Sequence, residues 1–504
     1  MSKTWDAIVI GAGVGGLTAA ATLVQEGLRV LILEKNPHPG GTAYVYHRKG
    51  FSFPMGPLGF SSLESIRQTL GDLGIAENLE FSRVHYRIRA FNLDLPISLP
   101  YSELKTLFSA SFPSDARGIN HFFQSIENQG QEQRSPDCSA SEFLKGLVRD
   151  ERLRCILGSM GAREPYSSLS LLAAMWNLMS YHGIWFPQEG MESFCLRLVK
   201  ALSPATEIRL GKEVSRIRVD QGRVVGVTLK DGTDMNARSV ISNADYKHTF
   251  LKLIDPEVLP PDWHKAVSEA RQTGSILQVC LGVDAEKSDL SAFEEASRLV
   301  YRRARNGFND PSPNWNAVEI DPEVLAAQEL EVSLWGETRL PTGKKGLVIV
   351  IRTEAEYHHF KQYRSSSQRR LPGYQEYKTR LGLALIREVE RLLPGLRDSI
   401  LVMDVATPLT FEDQGGRSGG AVAGWSWDYE DFKDNQPKEL IRTPIRGLYM
   451  AGYQAFSALF MGGVPTAMES GKRAAKAVLQ NADPIDEILI PLTPSLSPDG
   501  RGEG

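Results

Sequence analysis

A glycine-rich turn between two apolar runs constrains this sequence more than any other feature. The run WDAIVI leads into GAGVGG at residues 11–16, a stretch rich in Ala and Leu follows as far as Gly27, and LRVLILE comes next. Two short apolar strands joined through one helix predict a βαβ unit whose parallel strands are buried in a sheet. In this context the G-x-G-x-x-G spacing indicates a dinucleotide-binding loop.

The residues of this loop have separate physical roles. Gly11 permits the tight turn, Gly13 lets the backbone approach a pyrophosphate, and Gly16 lets the helix pack closely on the sheet. The helix N-terminus offers free N–H groups and a positive dipole end to the phosphates. Glu34 ends the second strand, where its carboxylate can accept hydrogen bonds from both ribose hydroxyls. We therefore predict cofactor contacts at Gly11, Ala12, Gly13, Gly15, Gly16 and Glu34.

The segment after Glu34 distinguishes FAD from NAD. It reads EKNPHPGGTAYVY, and its paired glycines resemble the E-x-x-x-x-x-GG extension of the glutathione-reductase-like class of FAD enzymes. In that class the glycines pass close to the flavin-side phosphate and the ribityl chain. The resemblance implies FAD contacts from Lys35, Gly40, Gly41 and Thr42. GGRSGG at residues 415–420 lacks the spacing of a second dinucleotide loop, so we predict a single FAD.

Further motifs resemble the superfamily of phytoene desaturases, carotenoid isomerases and retinol saturases. They comprise GAGVGGLTAA with EKNPHPGG, FSFPMGP, WFPQEGMESFCLRLVKAL, GKEVSRIRVDQGRVVGVTLKDG leading into VISNAD, ATPLTFEDQGGRSGGAVAG, and GLYMAGYQ with GGVPTAMESGKRAAKAV. Two departures stand out. Glu189 replaces the first glycine of the family's Pro-x-Gly-Gly element, and the loop from Tyr453 to Phe460 differs from the His-Pro-Gly-rich loop of bacterial phytoene desaturases. The resemblance therefore implies the family rather than phytoene as the substrate.

This resemblance implies an α/β fold with a discontinuous, glutathione-reductase-like FAD-binding Rossmann domain and an inserted α+β substrate domain. We expect the FAD-binding domain in residues 1–60, 186–250 and 440–483, and the substrate-binding domain in residues 61–185 and 251–439. Residues 484–504 are rich in Pro, Ser and Gly, and we expect them to form a flexible tail.

The resemblance also implies FAD contacts from segments distant in sequence. Gly56 of the G-P turn would lie near the flavin ring. The backbone of Val214 would pair with the adenine edge, and Asn243 and Ala244 would border the adenosine half.

The last strand and helix would complete the same site. Gly452 would let the backbone pass close to the flavin, and Pro465 suits the first position of the last helix because it has no N–H. The positive N-terminus of that helix, near Gly463 and Val464, would then stabilise the reduced flavin after hydride transfer to its N5 atom.

The implied activity is that of an FAD-dependent oxidoreductase that desaturates, saturates or isomerises carbon–carbon bonds of an apolar polyene or isoprenoid-type substrate. Tyr453 is a candidate catalytic group because its loop would border the flavin. Arg163 and Glu164 in GAREPYSS are further candidates, and a solvated charge pair at a helix end is the competing interpretation. The nine histidines show no metal-ligand spacing, so no metal site is predicted.

Two other functions remain as alternatives. An amine-oxidase-like flavoenzyme would share the nucleotide fold. A non-catalytic prenyl-lipid carrier of the Rab dissociation-inhibitor type would not need the intact loop and Glu34 found here.

Partners and location follow from composition. A net charge of −4 gives no reason to expect binding of nucleic acid, which normally requires a basic face. We expect a cytoplasmic protein, because no secretory signal is visible. The apolar segment 168–186 could be core, could line a substrate tunnel, or could contact a membrane peripherally. The substrate, the direction of electron flow, the electron acceptor and the oligomeric state stay open.

Overall fold

The computed structural model describes residues 4–129, 138–166, 168–202, 206–303, 314–340, 343–422, 438–457 and 463–481. The predicted tail at 484–504 lies outside these ranges. The strands are β1 (Thr4–Ile10), β2 (Val30–Leu33), β3 (Val45–Arg48), β4 (Phe51–Pro54), β5 (Phe81–Val84), β6 (Tyr86–Ala90), β7 (Leu93–Pro96), β8 (Ile184–Pro187), β9 (Thr206–Arg209), β10 (Val214–Asp220), β11 (Arg223–Leu229), β12 (Asp234–Ser242), β13 (Ser275–Asp284), β14 (Arg298–Tyr301), β15 (Leu330–Arg339), β16 (Lys345–Ala355), β17 (Ile400–Ala406), β18 (Lys438–Glu439), β19 (Leu448–Met450) and β20 (Phe456–Ser457).

The helices separate and cover these strands. They are α1 (Val14–Gln25), α2 (Leu63–Asp72), α3 (Tyr101–Ser111), α4 (Ala116–Gln129), α5 (Ala140–Leu147), α6 (Glu151–Ser159), α7 (Leu169–Asn177), α8 (Gly190–Lys200), α9 (Tyr246–His248), α10 (Pro261–Glu269), α11 (Pro322–Ala326), α12 (His358–Lys361), α13 (Tyr374–Val389), α14 (Leu396–Ser399), α15 (Pro408–Gly415) and α16 (Gly463–Leu479).

The first sheet has the order β10-β11-β12-β1-β2-β9, and β19 pairs with the end of β12. The pairs β12–β1, β1–β2, β2–β9 and β12–β19 are parallel, whereas β10, β11 and β12 form an antiparallel meander. Every residue of β2 is buried, as a strand covered on both faces requires. The predicted βαβ unit therefore forms the centre of an α/β nucleotide-binding fold.

The two ends of the chain pack against each other on this sheet. Helix α16 lies on α1 at a separation that only glycine allows, because a Cβ atom on Gly471 would lie 3.0 Å from the backbone nitrogen of Ala19. The apolar cluster beneath them unites residues from α1, β1, β12, β19 and α16. Tertiary packing thus brings the last described helix to the glycine-rich loop.

The second sheet has the order β17-β13-β16-β15-β14-β6-β7 and is antiparallel except for the β14–β6 pair. One face packs on α11 and α13 through Val279, Val332, Ile351 and their neighbours. On the opposite face, Cys280, Val348 and Val350 pack on Phe51 and Phe53 of β4. Ile276 and Arg352 of this second face line the same cavity as Ile10 and Leu33 of the first sheet, so this face looks towards the first sheet.

The apolar clusters extend across the predicted domain boundaries. Residues of α2 and of α10, such as Ile66 and Trp263, belong to the cluster of the first sheet, although we assigned both helices to the substrate-binding domain. Helices α3 to α7 form a separate cluster with β6 and β7. The segment 168–186 contributes mostly to that cluster, with Leu172 and Trp176 fully buried.

A search of the described residues for membrane-spanning segments finds no helix with the length and apolar character needed to cross a bilayer.

Candidate functional site

A cavity of about 550 Å³ lies between the carboxyl ends of the first sheet's parallel strands and the facing side of the second sheet. This is the edge at which open α/β sheets bind ligands. Most predicted cofactor contacts line it: Gly11, Gly13, Gly15, Glu34, Lys35, Gly40, Gly41, Thr42, Gly56, Val214, Asn243, Ala244, Gly452, Gly463 and Val464. The three remaining predicted residues, Ala12, Gly16 and Pro465, are buried and are not part of the cavity lining.

The glycine-rich loop is shaped as a cradle. A Cβ atom on Gly13 would lie 2.8 Å from Nδ2 of Asn243, and one on Gly41 would lie 3.0 Å from Cα of Gly13. Among the described residues no side chain caps α1 at Gly13, and no acidic residue occupies its first turn. The positive N-terminus of α1 therefore faces the cavity with free N–H groups, which is the arrangement that binds phosphate.

Glu34 is a buried carboxylate held in a fixed orientation. Its Oε2 accepts the N–H of Ala12 at 2.7 Å, and its Oε1 accepts the N–H of Asn36 at 2.8 Å. Only 5% of Glu34 is exposed. Each oxygen keeps a second lone pair, so the carboxylate can still accept hydrogen bonds from ribose hydroxyls.

The turn after β19 brings the C-terminal part of the chain to the cavity wall. Gly452 has a φ of +98°, a conformation that glycine adopts without strain, and its N–H donates to Oγ of Ser470 at 2.8 Å. The side chain of Asn243 lies between Gly452 and the glycine-rich loop. The C-terminal segment and the glycine-rich loop thus both lie next to the side chain of Asn243.

Helix α16 begins at Gly463, so our placement of Pro465 at its first position is wrong. Pro465 is its third residue. The position is tolerated because the first four N–H groups of a helix have no partner within the helix. The first turn of α16 contains no acidic residue, and Gly463 and Val464 border the cavity. Ala458, Leu459 and Phe460 of the loop that follows Tyr453 lie outside the described residues.

The side-chain amide of Gln454 has a hydrogen-bond donor, Nε2, with no acceptor among the described residues. Its Oε1 accepts the N–H of Tyr246 at 3.3 Å, whereas its buried Nε2 has no hydrogen-bond partner among them. An orphaned donor in a cavity wall costs free energy unless a ligand accepts from it. Together with the cradle, the free helix N-terminus and Glu34, this donor shows that the residues present fit FAD.

Arg417 was missed by sequence reasoning, which used its segment as a family motif and ruled out a second nucleotide loop there but assigned no role to the arginine. Its Nη2 donates to Oγ1 of Thr42 at 3.0 Å, and its Nη1 donates to the carbonyls of Ala421 and Val422. Burial lowers the pKa of Arg417, but an arginine stays protonated. The residue therefore places a positive charge beside the Gly40-Gly41 turn.

Tyr453 lines the cavity next to Arg417. Burial raises the pKa of its hydroxyl to about 12, although the charge of Arg417 opposes the shift. The phenol is therefore neutral at physiological pH and available as a hydrogen-bond donor.

The structure does not bring Arg163 and Glu164 into the cavity lining. Both are exposed, and Arg163 pairs with Glu329 at 2.8 Å and with Glu354. Among the described residues, the ion-pair partners of Arg163 are thus Glu329 and Glu354 and not Glu164, and no step at the reacting bond is assigned to Arg163 or Glu164.

The second sheet contributes polar groups that the sequence did not single out. Tyr86, Glu331 and Arg352 line the cavity together with Ile184 and Ile276. Within the described ranges, no three His, Cys, Asp or Glu residues are grouped in a way that could hold a metal ion.

Comparison with known proteins agrees with this geometry. The family model described as flavin containing amine oxidoreductase matches residues 14–314, more than half of the 504-residue chain. Prolycopene isomerase of Daucus carota is 28% identical over 97% of this chain and 83% of its own length. All-trans-retinol 13,14-reductase of Danio rerio is 22% identical over 92% and 85%. A phytoene desaturase of Rhodobacter capsulatus is 27% identical over 50% and 56%.

Solved structures show the same fold. An oxidoreductase from Methanosarcina mazei superposes with a TM-score of 0.62 at 18% identity, covering 93% of this chain and 99% of the other. Putrescine oxidase bound to putrescine gives a TM-score of 0.59 at 15% identity, covering 95% and 100%.

The fold and the cavity define an FAD-dependent oxidoreductase. More specifically, the chain belongs to the family of flavin containing amine oxidoreductases. The predicted likeness to phytoene desaturases, carotenoid isomerases and retinol saturases is confirmed by its relatives, and FAD is its cofactor.

Proposed function

We propose that this protein acts on carbon–carbon bonds of an apolar polyene or isoprenoid-type substrate, desaturating, saturating or isomerising them. The observation that carries the proposal is the cavity, whose lining includes the buried Glu34 at its nucleotide end, Ile276 of the second sheet and Ile184 of β8. The names of the relatives support the substrate class, because they include a prolycopene isomerase and a retinol reductase that align with most of the chain.

Bound FAD would supply the hydride acceptor or donor at its N5 atom. The protein's part is to bind, to orient and to exclude water. We propose that Glu34 holds the ribose, that the N-terminus of α1 and Arg417 hold the phosphates, and that Gln454 donates to the flavin. Tyr453 would donate a hydrogen bond beside the reacting bond, as its neutral hydroxyl allows.

The second sheet with its flanking helices would form the inserted α+β substrate-binding domain. Ile184 belongs to the apolar segment 168–186 and borders the cavity. In the same segment, 49% of Tyr181 is exposed. We propose that an apolar substrate enters along this segment and that the surface around Tyr181 contacts the membrane that supplies it.

Anaerobic mixing of the FAD-loaded protein with a panel of polyenes tests the proposal. Bleaching of the flavin absorbance by a polyene indicates desaturation. A parallel series with reduced FAD tests saturation, and chromatography of the polyene detects isomerisation. If none of these reactions occurs with any polyene, the proposed substrate class is wrong.

An amine substrate is the second candidate. The family description and the match to putrescine oxidase favour it. The same anaerobic assay with a panel of primary amines decides between the two, because bleaching by an amine and not by any polyene would favour amine oxidation.

A further inference from the structure

A row of polar side chains crosses the cavity wall that the second sheet forms. Gln278 of β13, Arg352 of β16 and Glu331 of β15 are direct cross-strand partners. Their next neighbours along the strands, such as Val279, Ile351 and Val332, are buried against the helices on the other face. Because strand side chains alternate between faces, the three polar residues share the face that looks into the cavity.

Arg352 is fixed within this row. Its Nε and Nη2 donate to Oε1 of Gln278 at 2.7 and 2.5 Å, and Nη2 also donates to the carbonyl of Gly56. The family resemblance implies that Gly56 lies near the flavin ring. On that expectation, the row would lie at the end of the cavity where the proposed function requires the reacting carbons to be.

Glu331 presents a carboxylate oxygen that nothing in the described part of the chain occupies. Its Oε1 accepts from Oγ of Ser333 at 3.1 Å, and its Oε2 accepts no hydrogen bond from a described residue. Other acidic residues of the lining are engaged at the nucleotide end. Glu34 binds backbone N–H groups, and Asp245 accepts from Ser418 at 2.6 Å. Among the described residues, the acidic group contributed by the second sheet to the lining is Glu331.

The charged groups around Glu331 are mostly cationic. Arg352 is its cross-strand partner on β16, and Arg163 in the loop after α6 interacts with it electrostatically. Arg298 interacts with Tyr86, and its Nη2 donates to the carbonyl of Leu58 at 2.5 Å. Glu331 therefore lies among arginine side chains at this end of the cavity.

The tyrosines of the cavity are unsuited to accept a proton at neutral pH. Burial raises the pKa of Tyr86, and the nearby charge of Glu331 raises it further. Burial likewise raises the pKa of Tyr453 to about 12. Both hydroxyls therefore stay protonated, and a proton acceptor at this end of the cavity has to be another group.

We propose that Glu331 is the catalytic proton acceptor for desaturation and the proton donor for saturation, an inference that rests on the proposed function. In desaturation, bound FAD would supply the two-electron acceptor that takes a hydrogen with its electron pair from one carbon. The neighbouring carbon would lose a proton to Oε2 of Glu331, and the electron pair of that C–H bond would become the second bond of the new C=C. The carboxylate of Glu331 would thereby become a carboxylic acid. Saturation reverses each transfer.

The substitutions Glu331→Gln and Glu331→Asp test this role. Gln keeps the size and can keep the bond from Ser333 but cannot take up the proton, whereas Asp keeps the carboxylate. Glu337→Gln is the matched control, because Glu337 lies on the same strand, is exposed and pairs with Lys345 at 2.5 Å. All variants are prepared with bound FAD, and thermal unfolding and flavin absorbance check their folding.

The readouts separate chemistry from binding. We expect Glu331→Gln to slow the anaerobic reaction with a reactive polyene by about 100-fold or more, the usual effect of losing a general base. Glu331→Asp should recover part of the rate, and Glu337→Gln should match the wild type. The dissociation constant for the polyene, from the change in its absorbance on binding, should stay within about threefold of the wild-type value in every variant, since one lost neutral contact is worth little more.

Failure of the inference and failure of the proposed function give different results. A wild type that reacts with a polyene, together with a Glu331→Gln variant that reacts equally fast or loses only polyene affinity, overturns the role of Glu331 alone. A wild type that reacts with no polyene overturns the proposed function, and the proton-transfer role of Glu331 with it.

Discussion

Replacement of Gly15 by Ala tests whether the two ends of the chain form one site. Gly15 is the second residue of α1, and a Cβ atom there would lie 2.8 Å from the backbone nitrogen of Gly452 and 2.9 Å from its Cα. Carbon atoms in contact are normally about 3.5–4.0 Å apart, so the backbone at Gly452 would have to move by roughly 0.6–1 Å. Overpacking of this kind costs about 1–3 kcal/mol.

Gly71→Ala provides the matched control. Gly71 is also a helical glycine, in α2, and a Cβ atom there meets nothing within 4 Å. Alanine at an open helical position should raise the free energy of unfolding by about 0.5–1 kcal/mol. The same gain in unfolding free energy applies at Gly15. The difference in stability between the two variants therefore reports the overlap of the new Cβ atom with the backbone of Gly452. We expect Gly15→Ala to be less stable than Gly71→Ala by about 1–3 kcal/mol.

Urea unfolding of both variants with FAD present in fixed excess measures this difference, to which the weaker FAD binding of Gly15→Ala adds about 1.4 kcal/mol. Fluorescence titration of FAD measures the affinity, which should fall at least about tenfold in Gly15→Ala, equivalent to 1.4 kcal/mol, because the cradle and the Gly452 turn separate. Gly71→Ala should bind FAD as the wild type does. Equal stabilisation of both variants, with unchanged FAD affinity, would refute the close contact between the loop and the C-terminal segment.

Three further predictions concern the cavity. In Glu34→Gln, an amide N–H₂ donor replaces one carboxylate oxygen and faces the N–H of Ala12 or of Asn36. FAD should then bind roughly 10–100-fold more weakly, a loss of about 1.5–3 kcal/mol in binding free energy. Unchanged FAD affinity in a fluorescence titration would contradict the role of Glu34. Arg417→Gln removes the hydrogen bond to Thr42 and a positive charge. Because a hydrogen bond contributes about 1 kcal/mol, FAD binding in the same titration should weaken by about five- to tenfold. The folded-state pKa of Tyr453 lies above its unfolded value of 10, so its contribution to stability is complete below pH 10 and is lost as the pH rises towards about 12. In Tyr453→Phe the stability measured by urea unfolding should therefore fall less between these pH values than in the wild type, and identical slopes would show that burial does not shift this group.

The nucleotide end of the cavity was largely predictable because its determinants are local. The loop at residues 11–16, the strand before it and the acidic residue after the next strand follow from short-range patterns, and Glu34 lies where that pattern predicts. The position of Pro465 was missed by two residues, since proline is compatible with any position in a first helical turn.

The residues that line the cavity at the second sheet could not be predicted from local sequence patterns. Glu331 and Arg352 stand in strands whose sequences contain several charged residues, and only the register of β13, β15 and β16 shows which of them face the cavity. A shift of one residue would turn both side chains towards the helices, and no turn or motif near them reveals the register. Arg163 is the opposite case. The sequence singled it out as a candidate, but it is exposed, lies outside the cavity lining and forms an ion pair with Glu329.

The sequence by itself determined the nucleotide-binding fold, because backbone geometry at a phosphate loop demands particular residues at fixed spacing. The cofactor FAD and the family followed from the resemblance of its motifs to those of known FAD enzymes. Tertiary structure alone decided how the site is completed. Asn243 and Gly452 meet the loop through the parallel pairing of β12 with β1 and with β19, and the second sheet sets Glu331 across the cavity from them. These contacts join residues hundreds of positions apart, and they depend on strand register and helix packing, which only the assembled core defines.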